Sequence, residues 1–370
     1  MRQAGQLPWW ANLLLIPALN LLAAFAVSGL LLFAIGENPF RSAAIIVEGA
    51  FFYGEGVGYT LFYATNFIFT GLAFAIAYHA GLFNIGAEGQ AYVAGLGVAL
   101  VCLSLDWLPR PLIILIALIA AAAFGAAWAL IPGYLQAKRG SHIVITTIMF
   151  NFIAAALIVY LLVNHLSPPG SMQPETRNFI AAARLPFLHT IFAEMGVALP
   201  ASPLNLSFLW ALICCVLFYI LVWRTKLGYE LRTLGANLHA AVYGGMSPPR
   251  LIMIAMMLSG ALAGFMALNE IMGSQHRMIL DYTSGYGFVG IAVALMGRAH
   301  PLGIIFAAVL FGALYQGGAE LAFESPNITR DMVVLIQGLV IMMAGGLEHL
   351  FRPHIERLLT SRRLQVAPAR

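Results

Sequence analysis

Residues 57–78 read VGYTLFYATNFIFTGLAFAIAY, a run of 22 positions without a charged side chain. At 1.5 Å of rise per helical residue the run measures about 33 Å, enough to cross the hydrocarbon core of a bilayer. Its polar residues are in register. Tyr59, Tyr63, Asn66 and Thr70 follow one another at steps of 4, 3 and 4, which keeps all four on one helical face. Polar side chains within a span are costly and face a neighbouring helix or a wet cavity rather than lipid. This stretch sets the class: an all-α polytopic membrane protein.

Working outward, similar runs occur at 11–35, 86–105, 111–135, 143–164, 207–223, 251–271, 285–297, 301–320 and 331–347, so about ten transmembrane helices are expected. The span at 86–105 opens in a Gly-rich polar stretch, and that at 285–297 is short. The first run is long for a signal core, although Ala24-Phe25-Ala26 imitates a cleavage site, and is read as a retained helix. Composition agrees. Of 370 residues 61% are hydrophobic and 9% charged, where soluble domains carry about 25% charge. A soluble enzyme, a nucleic-acid binder and a disordered chain are excluded on that ground. Cys102, Cys214 and Cys215 all sit in apolar runs and read as small buried hydrophobes.

Charge sets the orientation. With the N-terminus inside, 13 of the 19 basic residues fall on the cytoplasmic side, as the positive-inside rule requires, and both ends are cytoplasmic. The core runs from 57 to 347 within a single membrane domain spanning 1–370. Outside the spans lie an amphipathic outer segment at 38–56, an outer loop at 165–206, a cytoplasmic loop at 224–250 and an Arg-rich cytoplasmic tail at 348–370. The tail suits a solvated segment beside anionic lipid. Helices two to five and seven to ten form two four-helix units that enter the membrane from opposite sides, the topology of an inverted repeat. Thr70-Gly71-Leu72-Ala73 and Ser259-Gly260-Ala261-Leu262 are a faint echo of it.

No phosphate loop, HExxH or GxSxG motif is present, so the chain is not read as an enzyme, and its nine histidines suggest no metal site. Along the Tyr59, Tyr63, Asn66 and Thr70 face, as for Thr147 and Asn151 on helix five, Gln337 on helix ten and Asn269-Glu270 at the end of helix seven, two readings are open. One is a path for a neutral, hydrogen-bonding solute; the other is a set of bonds between helices. The segment 81–90, GLFNIGAEGQ, also carries two. It is a broken helix whose free backbone, with Asn84, Glu88 and Gln90, faces a path, or it is a helix start capped by Asn84. Glu88 is the charge nearest the membrane interior, and the scarcity of such charge argues against an ion-driven carrier. Gly260-x-x-x-Gly264 and Ala308-x-x-x-Gly312 are assigned to close helix packing. In the loop RTKLGYELRTLGANLHAAVYGGMSPPR, residues 224–250, Leu231, Leu234, Leu238, Ala241 and Val242 recur at helical spacing, which predicts a short surface helix with an apolar stripe in need of a cover.

That loop, through Gly228-x-x-x-Arg232-x-x-Gly235-x-Asn237-x-x-Ala240-Ala241-x-x-x-Gly245, resembles the ATPase-coupling loop of ABC importer permeases of the branched-chain amino acid, ribose and nucleoside type. GLFNIGAEGQ together with Tyr286-Gly287-Phe288-x-Gly290-Ile291-Ala292-Val293-Ala294-Leu295 is similar to the simple-sugar and nucleoside subgroup. The resemblance covers about residues 57–347. It implies a multi-pass permease of the bacterial inner membrane that moves a nucleoside or related simple sugar. It also implies a cytosolic ABC ATPase seated on Gly228 to Gly245, a second permease subunit of the same or another kind, and an extracytoplasmic substrate-binding lipoprotein. ATP and Mg would be held by the ATPase, and no cofactor by this chain. Tyr59, Tyr63, Asn66, Asn84, Glu88, Gln90 and Asn151 are the expected pathway residues. The alternative is a stand-alone carrier or channel for a small neutral polar solute; a structural scaffold would have no use for the polar face of helix two.

Overall fold

The computed structural model describes residues 15–346, so the Arg-rich tail at 348–370 lies outside the described residues. Fourteen α-helices follow one another: α1 Ile16–Ala34, α2 Pro39–Phe51, α3 Gly56–His79, α4 Ala87–Ser104, α5 Arg110–Arg139, α6 Ile143–Leu161, α7 Leu188–Glu194, α8 Ser207–Arg224, α9 Lys226–Ala236, α10 Leu238–Tyr243, α11 Pro248–Gly264, α12 Tyr286–Met296, α13 Pro301–Glu324 and α14 Arg330–Gly346. Single π-helical stretches, Leu162–Leu166 and Leu268–Gln275, prolong α6 and α11. No strand forms among the described residues, and the only bridges there are two isolated pairs. The all-α class holds.

Every expected span coincides with a helix, but they are not equal. Among the described residues seven helices are long and apolar enough to cross a bilayer, and eight if the pair Leu22–Ala34 and Pro39–Phe51, bent by 117°, is one span. The count of ten is therefore approximate. The 11-residue α12 reaches only about 16 Å, half the hydrocarbon core. The expected seventh span also ends later than 271: its π-helical stretch carries it to Gln275, so Asn269 and Glu270 lie inside the span rather than at its end.

Contacts group the chain into two compact units. The smaller comprises the described residues up to Gly49 and from Gly317 onward. Within it α1 packs on α14, around Leu32, Ile45, Leu321, Ile328, Val333 and Ile336. The outer segment forms the helix α2, begun by Asn38, whose side-chain oxygen accepts the Phe40 amide at 3.0 Å. Phe40 and Val47 are left on its exposed side.

The larger unit, Ala50–Gln316, is built around α3, whose residues from Ala64 to Ala77 are all buried. Small residues let the neighbours approach. Gly260 and Gly264 of α11 lie on the carbonyls of Gly125 and Ala121 of α5, while Gly312 of α13 lies on the Thr60 carbonyl of α3. A side chain at any of the three glycines would collide with backbone, which accounts for Gly260-x-x-x-Gly264 and for the glycine of the second pair.

Two interruptions define the interior. After α3 the chain turns at Gly81, with φ +75°, and runs non-helically before α4. Ala87, at the start of α4, packs against Ala73 and Ala263, so α4 begins some six residues, about 9 Å, inward of the end of α3. After α11 the segment 276–285 likewise returns before α12 begins, and Gly290 of α12 lies against Thr70, near the middle of α3. Both helices, the 18-residue α4 and the 11-residue α12, thus start deep in the unit.

Candidate functional site

The first interruption leaves backbone groups without helical partners, and such groups cannot stay unpaired away from water. Side chains supply the partners. The Asn84 carbonyl oxygen accepts the Gly86 amide at 2.8 Å, and its amide nitrogen donates to Ser259 Oγ at 2.8 Å and to Gln90 Oε1 at 3.2 Å. From α6, Asn151 accepts the Gly89 amide at 2.9 Å and donates to the Ile85 carbonyl at 3.0 Å, while Thr147 Oγ1 accepts the Ile85 amide at 3.3 Å. Ser259 Oγ in turn donates to the Ala73 carbonyl. Asn84, Gln90 and Asn151 are thus brought together, all buried. Their polar groups hold the broken backbone in position. Asn84 bonds its own segment and reaches across to α11, with both bonds buried.

The second interruption is fastened to the first. Glu88, in the first turn of α4, accepts the amides of Gly285 at 2.9 Å and Gly287 at 2.7 Å. A carboxylate is the natural occupant of the electropositive start of a helix. Beside it, Tyr92 Oη accepts the Asp281 amide at 2.8 Å and Tyr282 donates to the Ala91 carbonyl. At the outer end of this segment His276 Nδ1 donates to the Ser274 carbonyl, 2.7 Å away. Burial lowers the proton affinity of its imidazole below the usual histidine range, against that bond.

The polar face of α3 divides between two neighbours. Asn66, fully buried, donates to Glu270 at 2.6 Å and accepts from Asn269 at 2.9 Å. Asn269 also donates to the Phe62 carbonyl at 3.1 Å and accepts from Asn205 at 2.9 Å and Ser207 at 2.7 Å. Thr70 bonds back to the Asn66 carbonyl at 2.9 Å. Nearer the outer end Tyr63 joins a ring cluster with Tyr286 of α12 and Tyr315 of α13, at centroid distances of 6.2 and 5.7 Å. Phe67 packs on the same two rings at 5.6 and 5.0 Å. Tyr59 is half-buried one turn further out. The interior is therefore not as poor in charge as the sequence indicated: Glu270 is a buried carboxyl within a span. An Asn-Glu pair in an apolar run was the available signal. Its depth stayed hidden because π-helical continuation leaves no mark in a 3.6-residue pattern. Tyr315 carried no signal beyond its residue type.

The cytoplasmic loop forms two helices rather than one. Thr225 Oγ1 caps α9 by accepting the Gly228 amide at 3.1 Å. Asn237 interrupts the run and caps α10, its side-chain oxygen accepting the amides of His239 at 2.9 Å and Ala240 at 3.1 Å. Gly228 lies on the carbonyls of Leu221 and Val222, and Gly235 on the His79 carbonyl and Gly81 backbone. Gly245 turns the chain with φ +76°. Leu231, Leu234 and Ala241 are buried by the chain itself, whereas Leu238, Val242 and Tyr243 are 51%, 55% and 96% exposed. Ala240 is exposed and Arg232 half-buried. The loop also abuts a ring cluster in which Trp223 meets His79 at 5.3 Å and His300 at 5.1 Å. His79 Nε2 lies 3.0 Å from the Ala299 carbonyl, in the turn after α12.

Comparison with known proteins fits this geometry. The sequence model of the family described as branched-chain amino acid transport system / permease component matches residues 56–345. The chain is 35% identical to the guanosine ABC transporter permease protein NupP of Bacillus subtilis, over 90% of this chain and 93% of that one. It is 33% identical to the glucose ABC transporter permease protein TsgB13 of Haloferax volcanii, over 88% and 85%. With the nucleoside ABC transporter permease protein NupB of Lactococcus lactis subsp. cremoris it shares 32% identity, over 86% and 85%. No solved structure matches.

Proposed function

Because the chain belongs to the branched-chain amino acid transport system permease family, and so is a multi-pass transport protein of the plasma membrane, we propose that it carries a nucleoside, or a related simple sugar, inward as the permease of an ATP-driven importer. The observation that supports this substrate class is the ring cluster of Tyr63, Tyr286 and Tyr315 beside the start of α12, where the helix terminus is already filled by Glu88. An anionic solute finds no vacant positive terminus there, while a neutral ring finds aromatic faces. The three relatives named above, two nucleoside-type permeases and one glucose permease, are of the same kind.

In this reading Tyr59 and Tyr63 line the path. Asn66, Asn84, Glu88, Gln90 and Asn151 fix the interrupted segments that border it. A cytosolic ABC ATPase, carrying ATP and Mg, covers Leu238, Val242 and Tyr243. Its closure pushes on the loop from Gly228 to Gly245, with Arg232, Gly235, Asn237, Ala240 and Ala241 shaping the contact. Gly235 passes the push to Gly81, the hinge of the first interruption, and His79 passes it to the turn after α12. A second permease subunit completes the path, and an extracytoplasmic lipoprotein delivers the solute.

The test is uptake of radiolabelled nucleosides and of ribose in cells with and without the gene, at matched ATPase expression. Loss of nucleoside uptake supports the reading in full, and loss of ribose uptake alone moves the substrate to sugars. Retention of both removes the substrate assignment.

A further inference from the structure

Five non-glycine residues among those described have positive φ: His276, Asp281, Ser284, Arg298 and Ala299. All five flank α12, three before it and two after. Side chains in that region are strained, and such conformations persist only where the surroundings hold them. Deep in the unit Tyr92 Oη holds the Asp281 amide, and Glu88 holds the amides of Gly285 and Gly287 beside Ser284. On the outer side the loop 165–206, to which neither the sequence nor the importer reading assigns a role, holds the His276 carbonyl.

That loop is fastened at two places. On one side Arg177 pairs with Asp106 at 2.9 Å and donates to the Leu103 carbonyl at 2.8 Å, at the outer end of α4. On the other it zips onto the segment leading to α12. The Thr176 amide donates to the Met278 carbonyl at 3.0 Å, the Phe179 amide to the His276 carbonyl at 2.8 Å and the Leu185 amide to the Met272 carbonyl at 3.0 Å. The Met278 amide returns a bond to Thr176 Oγ1 at 3.0 Å, Arg277 pairs with Glu175 at 2.8 Å, and Glu175 and Ile279 form an antiparallel bridge. The loop therefore ties the outer end of the first repeat to the strained approach of the second.

We propose that this loop is a strap on α12 that must release residues 276–279 in each transport cycle, so that Glu175, Thr176 and Arg277 are positioning residues for transport. The inference rests on the importer reading and adds an outer control to its cytoplasmic one. It needs no particular solute.

The test locks the strap in the geometry it already has. Bridge partners in antiparallel strands stand about 4.5–5.5 Å apart at Cα, within disulfide range, and Cys102, Cys214 and Cys215 are buried. Glu175→Cys/Ile279→Cys is assembled with its ATPase, permease partner and binding protein in proteoliposomes, and ATPase stimulation by loaded binding protein is read before and after oxidation. A static contact tolerates the cross-link; a strap that must open does not. The expected result is at least a tenfold loss of stimulation on oxidation, reversed by reductant. Equal stimulation in both states overturns the proposal. Absence of stimulation in the wild-type assembly strikes at the importer reading, whereas stimulation in wild type but in neither redox state of the variant overturns the strap. Independently, Glu175→Arg is expected to raise basal ATPase severalfold and the exchange Glu175→Arg/Arg277→Glu to restore it. An unchanged basal rate in the single variant counts against the strap.

Discussion

The carboxylate of Glu88, in the first turn of α4, accepts the amides of Gly285 and Gly287 at 2.9 and 2.7 Å and so joins the starts of α4 and α12. Partners 199 positions apart at most are fastened by one side chain. Replacing it by Gln sets an amide donor against one of the two N–H groups. Hydrogen bonds to charged groups contribute about 1.5–3 kcal/mol, so Glu88→Gln is expected to lower uptake about tenfold, with the assembled transporter still forming. Glu88→Ala, which orphans both amides, is expected to lower it further. Uptake assays on purified, reconstituted complexes check the order; equal activity of wild type and Glu88→Ala would remove the role.

Asn269 makes four contacts, two donated to Phe62 and Asn66 and two accepted from Asn205 and Ser207. Asn269→Leu leaves buried partners unpaired on α3 and around α8, each at about 1–3 kcal/mol. The expected outcome is a protein that melts well below wild type in detergent, by fluorescence-detected size exclusion. Asn66→Ala, which removes fewer bonds, is expected to lie between the two. A melting point for Asn269→Leu within a degree of wild type would contradict the network.

Much of this arrangement was legible beforehand, and the gaps have physical causes. Most of the spans were legible because an uncharged run of bilayer length has few other uses, as at 57–78. Asn84, Glu88 and Gln90 drew notice because Gly and polar residues together do not extend a helix. Their partners, Asn151, Ser259 and Gly285, are separated by 62 residues or more, and nothing local encodes such pairings. The shortness of 285–297 was visible; its meaning was not, because depth in the bundle is fixed by Gly290 meeting Thr70 across the interior. The loop glycines stood out by resemblance, and only packing shows why Gly235 carries no side chain.

At Gly235 a Cβ would meet the His79 carbonyl and the backbone of Gly81 and Ala80. None of these can swing aside as a side-chain tip would. Gly235→Ala is therefore expected to lift α9 from the first hinge and cut uptake at least tenfold while the ATPase still co-purifies. Gly244→Ala is the matched control, since its nearest neighbour is the Ala240 carbonyl at 3.4 Å, an ordinary contact. If Gly235→Ala transports within twofold of Gly244→Ala, the loop does not act through Gly81.

Tyr315 stands at the centre of the ring cluster, 5.7 Å from Tyr63, 5.7 Å from Tyr286 and 5.0 Å from Phe67. Stacking of a nucleobase on an aromatic side chain contributes about 1–3 kcal/mol, against a smaller gain for a sugar, which offers no π face. Tyr315→Leu is expected to lower nucleoside uptake about tenfold or more and to leave the uptake of any sugar the transporter accepts within about threefold. Tyr315→Phe keeps the ring and is expected to retain most nucleoside uptake. Competition between labelled nucleoside and unlabelled ribose in the same vesicles reads both effects together. An equal fall for both solutes in Tyr315→Leu would assign the cluster to packing, and a fall in Tyr315→Phe as large as in Tyr315→Leu would assign the contribution to the hydroxyl instead of the ring.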